Sequence, residues 1–295
     1  MAWRQLLLKI NQSVAQNLSD WLMENGAQAI TFEDSEDQPI LEPGPGETPL
    51  WEKVTLIALF EEEDNVEAIE SLVKSSFPNE IAHSEIKSLE EQVWERTWMD
   101  HFEAMKFGNR LWICPSWQQP PEPDAINIML DPGLAFGSGT HETTALCLTW
   151  LDSLDLSNKS VIDYGCGSGI LAIAACKLGA AKVIGTDTDP QAILSSRENA
   201  NRNEVDEALL ALHAVYKESP PELPQVDVLV ANILAEPLRL LAPQLSKLVK
   251  SGGCIGLSGI LNEQAEEIQT IYQQWFQQVE ISHRGDWSFI SGIKP

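Results

Sequence analysis

The sequence predicts an α/β protein in which a doubly wound, mostly parallel sheet follows a small α+β domain. Strand-like and helix-like patterns alternate through the first 90 residues, and strands alternate with helices from about residue 125. A glycine-rich turn joins the first of these later strands to its helix. With 295 residues and 43% hydrophobic content, the chain exceeds one average domain, so two domains are expected.

Residues 1–90 are expected to form the small domain, with the element order β-α-β-β-α-β. This order is typical of a ferredoxin-like domain, in which two helices cover one face of a four-stranded antiparallel sheet. The expected elements are Trp3–Ile10, Val14–Glu24, Ala29–Glu33, Val54–Phe60, Asn65–Ser76 and Glu85–Leu89. Residues 34–49 are rich in proline and glycine, which predicts a loop between the two central strands.

Residues 91–124 are predicted to connect the two domains through a linker helix. Within Val93–Met105, four apolar side chains recur at the spacing of one helix face: Trp94, Trp98, Phe102 and Met105. Such a stripe is more often a packing surface than a ligand site. The proline-rich segment Gln118–Pro123 is predicted as a surface loop.

Residues 125–295 are predicted to form the α/β domain. The expected strands are Ser160–Asp163, Lys182–Asp187, Leu209–Ala214, Val226–Ala231 and Cys254–Ser258. The expected helices are Ile170–Leu178, Pro190–Asn203, Leu238–Val249 and Asn262–Trp275. Val279–Ser282 and Trp287–Ser291 are expected as a final antiparallel pair at the sheet edge, with the hairpin turn at Gly285 and Asp286.

The charge of the chain limits the partners that it can have. The formal net charge is -25 and the pI is about 4.4. Residues 1–90 contain five Lys or Arg against 18 Asp or Glu, which is -13 of the total. Such a field repels phosphate backbones and attracts basic partners, so a dedicated nucleic-acid binder is disfavoured. The acidic small domain is either a solvated surface or a docking face for a basic protein.

Cysteine, histidine and hydropathy patterns narrow the class of protein further. The five cysteines form no C-x-x-C pair and the five histidines stand singly, so we expect a reducing compartment and no metal site. No run approaches the ~18 apolar residues that span a bilayer, and the N-terminus lacks the apolar core of a signal peptide. The protein is expected to be cytoplasmic and not to bind membranes.

The strongest site signal is the segment Asp163–Gly169, in which a strand runs into three alternating glycines and then into a helix. Glycine lets the backbone turn sharply and approach a ligand closely. The spacing is G-x-G-x-G, not the G-x-G-x-x-G of dinucleotide-binding loops, so it resembles a loop that binds a nucleoside. Asp163 either orients this loop through backbone N–H groups or favours a positively charged part of the ligand.

Two polar residues at later strand ends support a ligand site. Asp187 ends the next strand, 22 residues after Gly165, where a carboxylate can accept both hydroxyls of a ribose. The alternative role of helix N-cap is better filled by Asp189. Asn232 ends the fourth strand beside the topological switch point of the sheet. Its side-chain oxygen can accept an N–H of a neutral amine, and a turn-forming Asn is the alternative.

Several longer motifs agree in order and spacing. They are LDPGLAFGSGTHETT (Leu130–Thr144), VIDYGCGSGILAIAACKLGA (residues 161–180), NILAEPL (Asn232–Leu238) and the upstream WERTWMDHFEAMKFGNRLWICPSW (residues 94–117). These motifs resemble the PrmA family, bacterial methyltransferases of protein eleven of the large ribosomal subunit. The resemblance covers the whole chain and implies a Rossmann-like class I methyltransferase domain.

The resemblance also implies a reaction and its residues. The methyl donor would be S-adenosyl-L-methionine, and the acceptors would be the N-terminal α-amine and lysine ε-amines of that ribosomal protein, recognised by the N-terminal domain. Separately, we expect the protein to be a monomer. Four residues would contact the cofactor: Thr144, Gly165, Asp187 and Asn232. Asn232 would also position the amine, and residues 136–141 would cover the site. His141 is more readily explained as a structural residue than as a general base.

The chain departs from the family pattern at Ser138, Glu142 and Tyr164, none of which removes a cofactor-binding side chain. Three other functions stay open as alternatives. A nicotinamide oxidoreductase shares the fold but expects a different glycine spacing and a proton-relay residue. Methylation of RNA would require Lys and Arg clusters that the acidic domain lacks. A non-enzymatic binding module is disfavoured by the intact glycine loop and Asp187.

Overall fold

The computed structural model describes residues 3–36, 50–89, 103–131, 141–215 and 222–295. The chain divides into two compact units, Met1–His101 and Phe102–Pro295. Most of the predicted linker helix lies outside the described residues. Its last member, Met105, lies in a strand, so the helix prediction is wrong at this end.

The N-terminal unit has the predicted β-α-β-β-α-β order in its described part. Its strands are β1 (Trp3–Asn11), β2 (Ala29–Asp34), β3 (Lys53–Glu61) and β4 (Ile81–Leu89), and its helices are α1 (Gln12–Glu24) and α2 (Val66–Ser76). The sheet order is β2-β3-β1-β4 with every neighbouring pair antiparallel, which confirms the ferredoxin-like arrangement. β4 begins four residues earlier than predicted because it pairs with β1 as far as Ile10, which lies opposite Ile81.

The core of this unit lies between one face of the sheet and the two helices. Alternate residues of β1 are fully or almost fully buried on that face, as the period of two in a strand requires: Leu6, Leu8 and Ile10. Helix α1 buries Ala15, Leu18 and Leu22 against them at a helical spacing.

The C-terminal unit begins with a three-stranded sheet that the sequence patterns do not predict. Its strands are β5 (Met105–Phe107), β6 (Leu111–Cys114) and β7 (Ile126–Met129), in that order. Strands of three or four residues are too short for a periodic pattern to stand out. The predicted loop Gln118–Pro123 does lie between β6 and β7, outside any strand or helix.

The main sheet of the C-terminal unit contains seven strands in the order β10-β9-β8-β11-β12-β14-β13. The strands are β8 (Ser160–Tyr164), β9 (Lys182–Asp187), β10 (Leu210–Ala214), β11 (Val226–Asn232), β12 (Val249–Leu261), β13 (Gln277–Arg284) and β14 (Trp287–Ile293). The five strands from β10 to β12 are parallel, and β14 and β13 complete the edge as the predicted antiparallel pair. The doubly wound, mostly parallel sheet is therefore confirmed.

Helices cover both faces of this sheet. In the described residues they are α3 (Glu142–Ser153), α4 (Ile170–Lys177), α5 (Pro190–Arg202), α6 (Ala235–Leu248) and α7 (Ala265–Tyr272), with a 3₁₀ turn at Asn262–Gln264. Val161 faces one core and its neighbour Ile162 faces the other. Strands buried on both faces read as continuous apolar runs, which is why their positions were predictable.

Both ends of helix α6 are among the boundaries that differ from the predictions. Helix α6 begins three residues before Leu238 because Pro237 occupies its first turn, where no intrahelical N–H bond is needed. Val249 belongs to β12 and not to the helix. In the described part of the chain, no helix is both long and apolar enough to cross a membrane.

Helix α3 is a larger omission from the sequence-based prediction. Its apolar residues occupy most of its circumference, so the segment lacks the one-sided pattern of a surface helix: Ala145, Cys147, Leu148 and Leu151 are all buried. Asp152 near its end accepts hydrogen bonds from Asn109 N (2.6 Å) and Arg110 Nε (3.1 Å), so the turn between β5 and β6 anchors this helix.

Candidate functional site

The glycine loop follows β8 at the carboxyl edge of the main sheet. The N–H groups of Gly165 and Cys166 both donate to the carbonyl oxygen of Thr186, at 2.7 and 2.9 Å. Gly165 has φ +80°, and a Cβ there would collide with the side chain of Ile233. This position therefore admits only glycine, because its backbone conformation and its contact with Ile233 both exclude a side chain.

Helix α5 holds the far side of this loop. Ser196 Oγ donates to the carbonyl oxygen of Gly167 and Asn199 Nδ2 donates to that of Ser168, both at 2.9 Å. Sequence reasoning missed these two residues. Their i, i+3 spacing on a helix next to the glycine loop is the signal that could have identified them.

Asp187 ends β9 and connects the loop to the start of α5. Its Oδ2 accepts the N–H of Gly167 at 2.9 Å and its Oδ1 accepts the N–H of Asp189 at 3.0 Å. Asp189 caps α5 by accepting the N–H of Gln191 at 2.8 Å, so the predicted N-cap is confirmed. A carboxylate has about four acceptor positions, so Asp187 retains capacity for two ligand hydroxyls.

Thr144 and Asn232, which are 88 positions apart in the sequence, are hydrogen-bonded to each other. Asn232 Nδ2 donates to Thr144 Oγ1 at 3.3 Å, and Thr144 is fully buried in the first turn of α3. The parallel pairing of Val230 with Asp163 places Asn232 alongside the glycine loop, and Ile233 contacts Gly165. The structure therefore brings all four predicted site residues to one edge of the sheet.

The Asn232 side chain has an unsatisfied acceptor. Its Oδ1 is buried and has no hydrogen-bond partner in the described part of the chain. A buried polar atom without a partner costs about 1–3 kcal/mol. An N–H or O–H donor supplied by a ligand would remove that cost.

Asp163 is the most strongly perturbed acid at this edge. Its side chain is fully buried, Oδ2 accepts the N–H of Ala172 at 2.9 Å, and Oδ1 is buried without a partner. Burial raises the pKa of Asp163 to about 7, the Ala172 N–H opposes this shift, and the neighbouring Asp187 carboxylate adds to it. A cationic group bound near Asp163 would favour its ionised form.

The cysteines near the site are not nucleophiles. Burial raises the pKa of Cys147 and Cys166, and the nearby Asp163 carboxylate raises both further. Both thiols therefore stay protonated at neutral pH. The residues that the structure describes contain no group of three or more His, Cys, Asp or Glu side chains that could hold a metal ion.

His141 is the N-cap residue of α3. Its Nδ1 lies 3.3 Å from Thr143 N and 2.8 Å from Thr143 Oγ1, and its ring packs edge-on against Trp287 with centroids 4.9 Å apart. Residues 136–140, which with His141 form the predicted cover of the site, lie outside the described residues.

The fold and this site define a class I methyltransferase, an enzyme class that uses S-adenosyl-L-methionine as the methyl donor. The family described as ribosomal protein L11 methyltransferase (PrmA) matches residues 2–295. The chain belongs to this family.

Relatives named ribosomal protein L11 methyltransferase support the assignment over the full length. One from Shewanella sp. (strain ANA-3) is 55% identical over 99% of both chains, and one from Shewanella sediminis is 54% identical over all of both. The crystal structure of ribosomal protein L11 methylase from Lactobacillus delbrueckii subsp. bulgaricus is 35% identical with a TM-score of 0.59, covering 65% of this chain and 99% of that one.

The residues at this edge fit S-adenosyl-L-methionine chemically. Asp187, which accepts the N–H of Gly167 in the glycine loop, has acceptor capacity for ribose hydroxyls. Asp163 adds a carboxyl group that a cation would keep ionised. Asn232 Oδ1 provides an acceptor at the same edge for a second ligand.

Proposed function

We propose that this chain transfers methyl groups from S-adenosyl-L-methionine to the N-terminal α-amine and to lysine ε-amines of ribosomal protein L11. The observation that carries the proposal is the Thr144–Asn232 pair with its unsatisfied, buried Asn232 Oδ1. The names of the full-length relatives supply the substrate. Thr144, Gly165, Asp187 and Asn232 are the proposed cofactor-binding residues.

Asn232 is the proposed catalytic residue because its free oxygen can orient an amine. A neutral amine has N–H donors and one lone pair, so donation of one N–H to Asn232 Oδ1 leaves the lone pair available for the reaction. Thr144 Oγ1 holds the other end of the amide and limits its rotation. When bound, S-adenosyl-L-methionine supplies an electrophilic methyl group.

The main chemical obstacle is the proton on the acceptor amine. A lysine with a pKa of about 10.4 lies ~3.4 units above pH 7, so its neutral form costs about 4.6 kcal/mol, whereas an α-amine with a pKa of about 8 costs much less. Burial of the amine beside Thr144 and Asn232 disfavours its charged form and lowers that cost. A resident general base is therefore not required, and solvent can take the proton before the amine is buried.

The N-terminal unit is the proposed substrate-recognition domain. We propose that residues 1–90 form this domain, residues 91–124 the connecting segment and residues 125–295 the catalytic domain. Residues 1–90 carry 18 acidic and five basic side chains, which complements a basic ribosomal protein and opposes binding to RNA phosphates. The proposed working unit is a monomer, which light scattering of the chain in solution tests directly.

The experiment that tests the function measures methyl transfer from radiolabelled S-adenosyl-L-methionine. Free L11, intact ribosomes and ribosomal RNA serve as separate acceptors, and mass spectrometry locates the modified groups. Label at amines of L11 is the expected result. Asn232→Ala should abolish most of it, while Asn201→Ala, a matched change of an exposed Asn on α5, should not. Label in RNA alone, or in no acceptor despite cofactor binding, would overturn the substrate assignment.

A further inference from the structure

We infer that His141 is a positioning residue of the methyl-transfer site: its Nδ1 caps α3, and the capped first turn of α3 holds Thr144 against Asn232. The inference rests on the proposed function, because it concerns the orientation of the amide that would receive the amine. It assigns His141 a role distinct from both general-base catalysis and coverage of the cofactor.

The hydrogen bonds at Nδ1 define the state of the imidazole ring. A backbone N–H can only donate, so the 3.3 Å contact from Thr143 N requires a lone pair on Nδ1. The hydroxyl of Thr143, 2.8 Å from the same nitrogen, then donates as well. The neutral ring therefore carries its proton on Nε2.

This tautomer is unsuited to general-base catalysis. The lone pair of Nδ1 is engaged by Thr143, and Nε2 already carries a proton. A base needs a free lone pair directed at the proton that it removes. The ring can instead act through the helix that it caps, because an N-cap acceptor satisfies one of the four free N–H groups at a helix start.

The path from the cap to the amide is short. Thr144 directly follows the capped residue Thr143, is fully buried, and has its Oγ1 3.3 Å from Asn232 Nδ2. The ring of His141 is fixed from another direction by Trp287 on β14, with an interplanar angle of 67°. A second strand of the main sheet thus sets where α3 begins, and the position of α3 sets where Thr144 meets Asn232.

Two matched substitutions separate capping from ring chemistry. Asn places a side-chain acceptor at the position of Nδ1, two bonds from Cβ, whereas Gln places its amide nearer to the position of Nε2. Asn is among the best N-cap residues and Gln is not. We expect His141→Asn to recover most of the kcat of the unsubstituted enzyme. His141→Gln and His141→Ala should lose about 5- to 30-fold in kcat, corresponding to about 1–2 kcal/mol for a lost cap.

A double-mutant cycle that combines changes at His141 and Asn232 tests whether His141 acts through Asn232. In an Asn232→Ala background, the difference in kcat between His141→Asn and His141→Gln should disappear, since the amide that the cap positions is gone. Equal losses for the Asn and Gln variants in the native background would overturn the inference. Full activity of His141→Gln and His141→Ala would overturn it too. So would a difference in kcat between His141→Asn and His141→Gln that is as large in the Asn232→Ala background as in the native one.

Nuclear magnetic resonance of the full chain provides a readout that needs neither cofactor nor L11. Long-range ¹⁵N–¹H correlation, with the His141 ring assigned by its loss in His141→Asn, should report the Nε2–H tautomer. The side-chain amide signal of Asn232 should shift in His141→Gln and stay near its original position in His141→Asn. An Nδ1–H tautomer, or an Asn232 signal that both variants move equally, would contradict the inference even if L11 proved not to be the substrate.

Discussion

Substitution of the buried Asp163 by Asn should change how the stability of the protein depends on pH. Burial raises the pKa of Asp163 from 3.8 to about 7. A carboxyl with a raised pKa keeps its proton in the folded chain between about pH 4 and 7, where the unfolded chain has already lost it. The free energy of unfolding therefore falls as the pH rises through this window, and the full penalty applies above pH 7.

The penalty can be estimated from the size of the shift. About three pKa units at 1.36 kcal/mol each correspond to about 4 kcal/mol above pH 7, of which about 3 kcal/mol develops between pH 5 and pH 8. Asn keeps an oxygen for the N–H of Ala172 and carries no charge, so Asp163→Asn removes this dependence. The amide adds two N–H groups at a site with an unpartnered buried oxygen, which offsets about 1–3 kcal/mol of the gain.

The assay is urea denaturation of the cofactor-free chain and of Asp163→Asn at several pH values from 5 to 8. Contributions from other titrating groups cancel in the difference between the two proteins. The variant should gain about 3 kcal/mol relative to the original chain between pH 5 and pH 8. Asn201→Ala, an exposed change that removes no titratable group, is the control and should give a flat difference. A flat difference for Asp163→Asn, or one of opposite sign, would refute the ionisation behaviour assigned to Asp163.

Three further changes address the site and the substrate. Asn232→Ala should lower kcat by about 10²-fold or more, with a smaller change in the Kd for S-adenosyl-L-methionine, because orientation of the amine is lost. Stopped assays measure the kcat and calorimetry the Kd, and a loss confined to cofactor affinity would contradict the amine-positioning role. Gly165→Ala should weaken cofactor binding and lower the Tm, since the added Cβ would collide with Ile233 and the φ at this position is +80°. Cofactor binding as tight as in the original chain would show that the loop has another conformation. The KM for L11 should rise with salt while that for S-adenosyl-L-methionine changes less, because the proposed recognition domain, residues 1–90, is strongly acidic. A salt-independent KM for L11 would remove charge as the basis of recognition.

Much of the fold could be predicted because its signals are local. The strands that are buried on both faces give continuous apolar runs, and the predicted bounds of β9, Lys182–Asp187, match the structure. Helix α3 and the sheet of β5 to β7 could not be found in this way. Helix α3 is apolar on most sides, and the strands of the small sheet are held by partners distant in sequence rather than by their own pattern.

The residues of the candidate site likewise fall into those with a local sequence signal and those held by contacts distant in sequence. The glycine loop and Asp187 can be recognised in the sequence because each answers a requirement of the local backbone. A Cβ at Gly165 would collide with Ile233, and the carboxylate of Asp187 accepts the N–H of Gly167. The Thr144–Asn232 hydrogen bond, the cap by His141 and the support of the loop by Ser196 are contacts over long sequence distances or within an unpredicted helix. Motif resemblance could name Thr144, but only the fold gives the physical reason for its position.

The buried atoms that lack a partner have a common location. In the described part of the chain, four buried side-chain nitrogen or oxygen atoms have no hydrogen-bond partner. Three of them belong to Asp163, Thr186 and Asn232. Each of these residues is the last or second-last residue of one of three neighbouring parallel strands, β8, β9 and β11. Unsatisfied polar atoms destabilise the free protein, so their concentration at one edge indicates a cost that ligands can offset. The same edge carries the glycine loop, in which Gly165 has a φ of +80° and packs against Ile233. Stability is therefore given up at the carboxyl edge of the sheet, where binding can recover it.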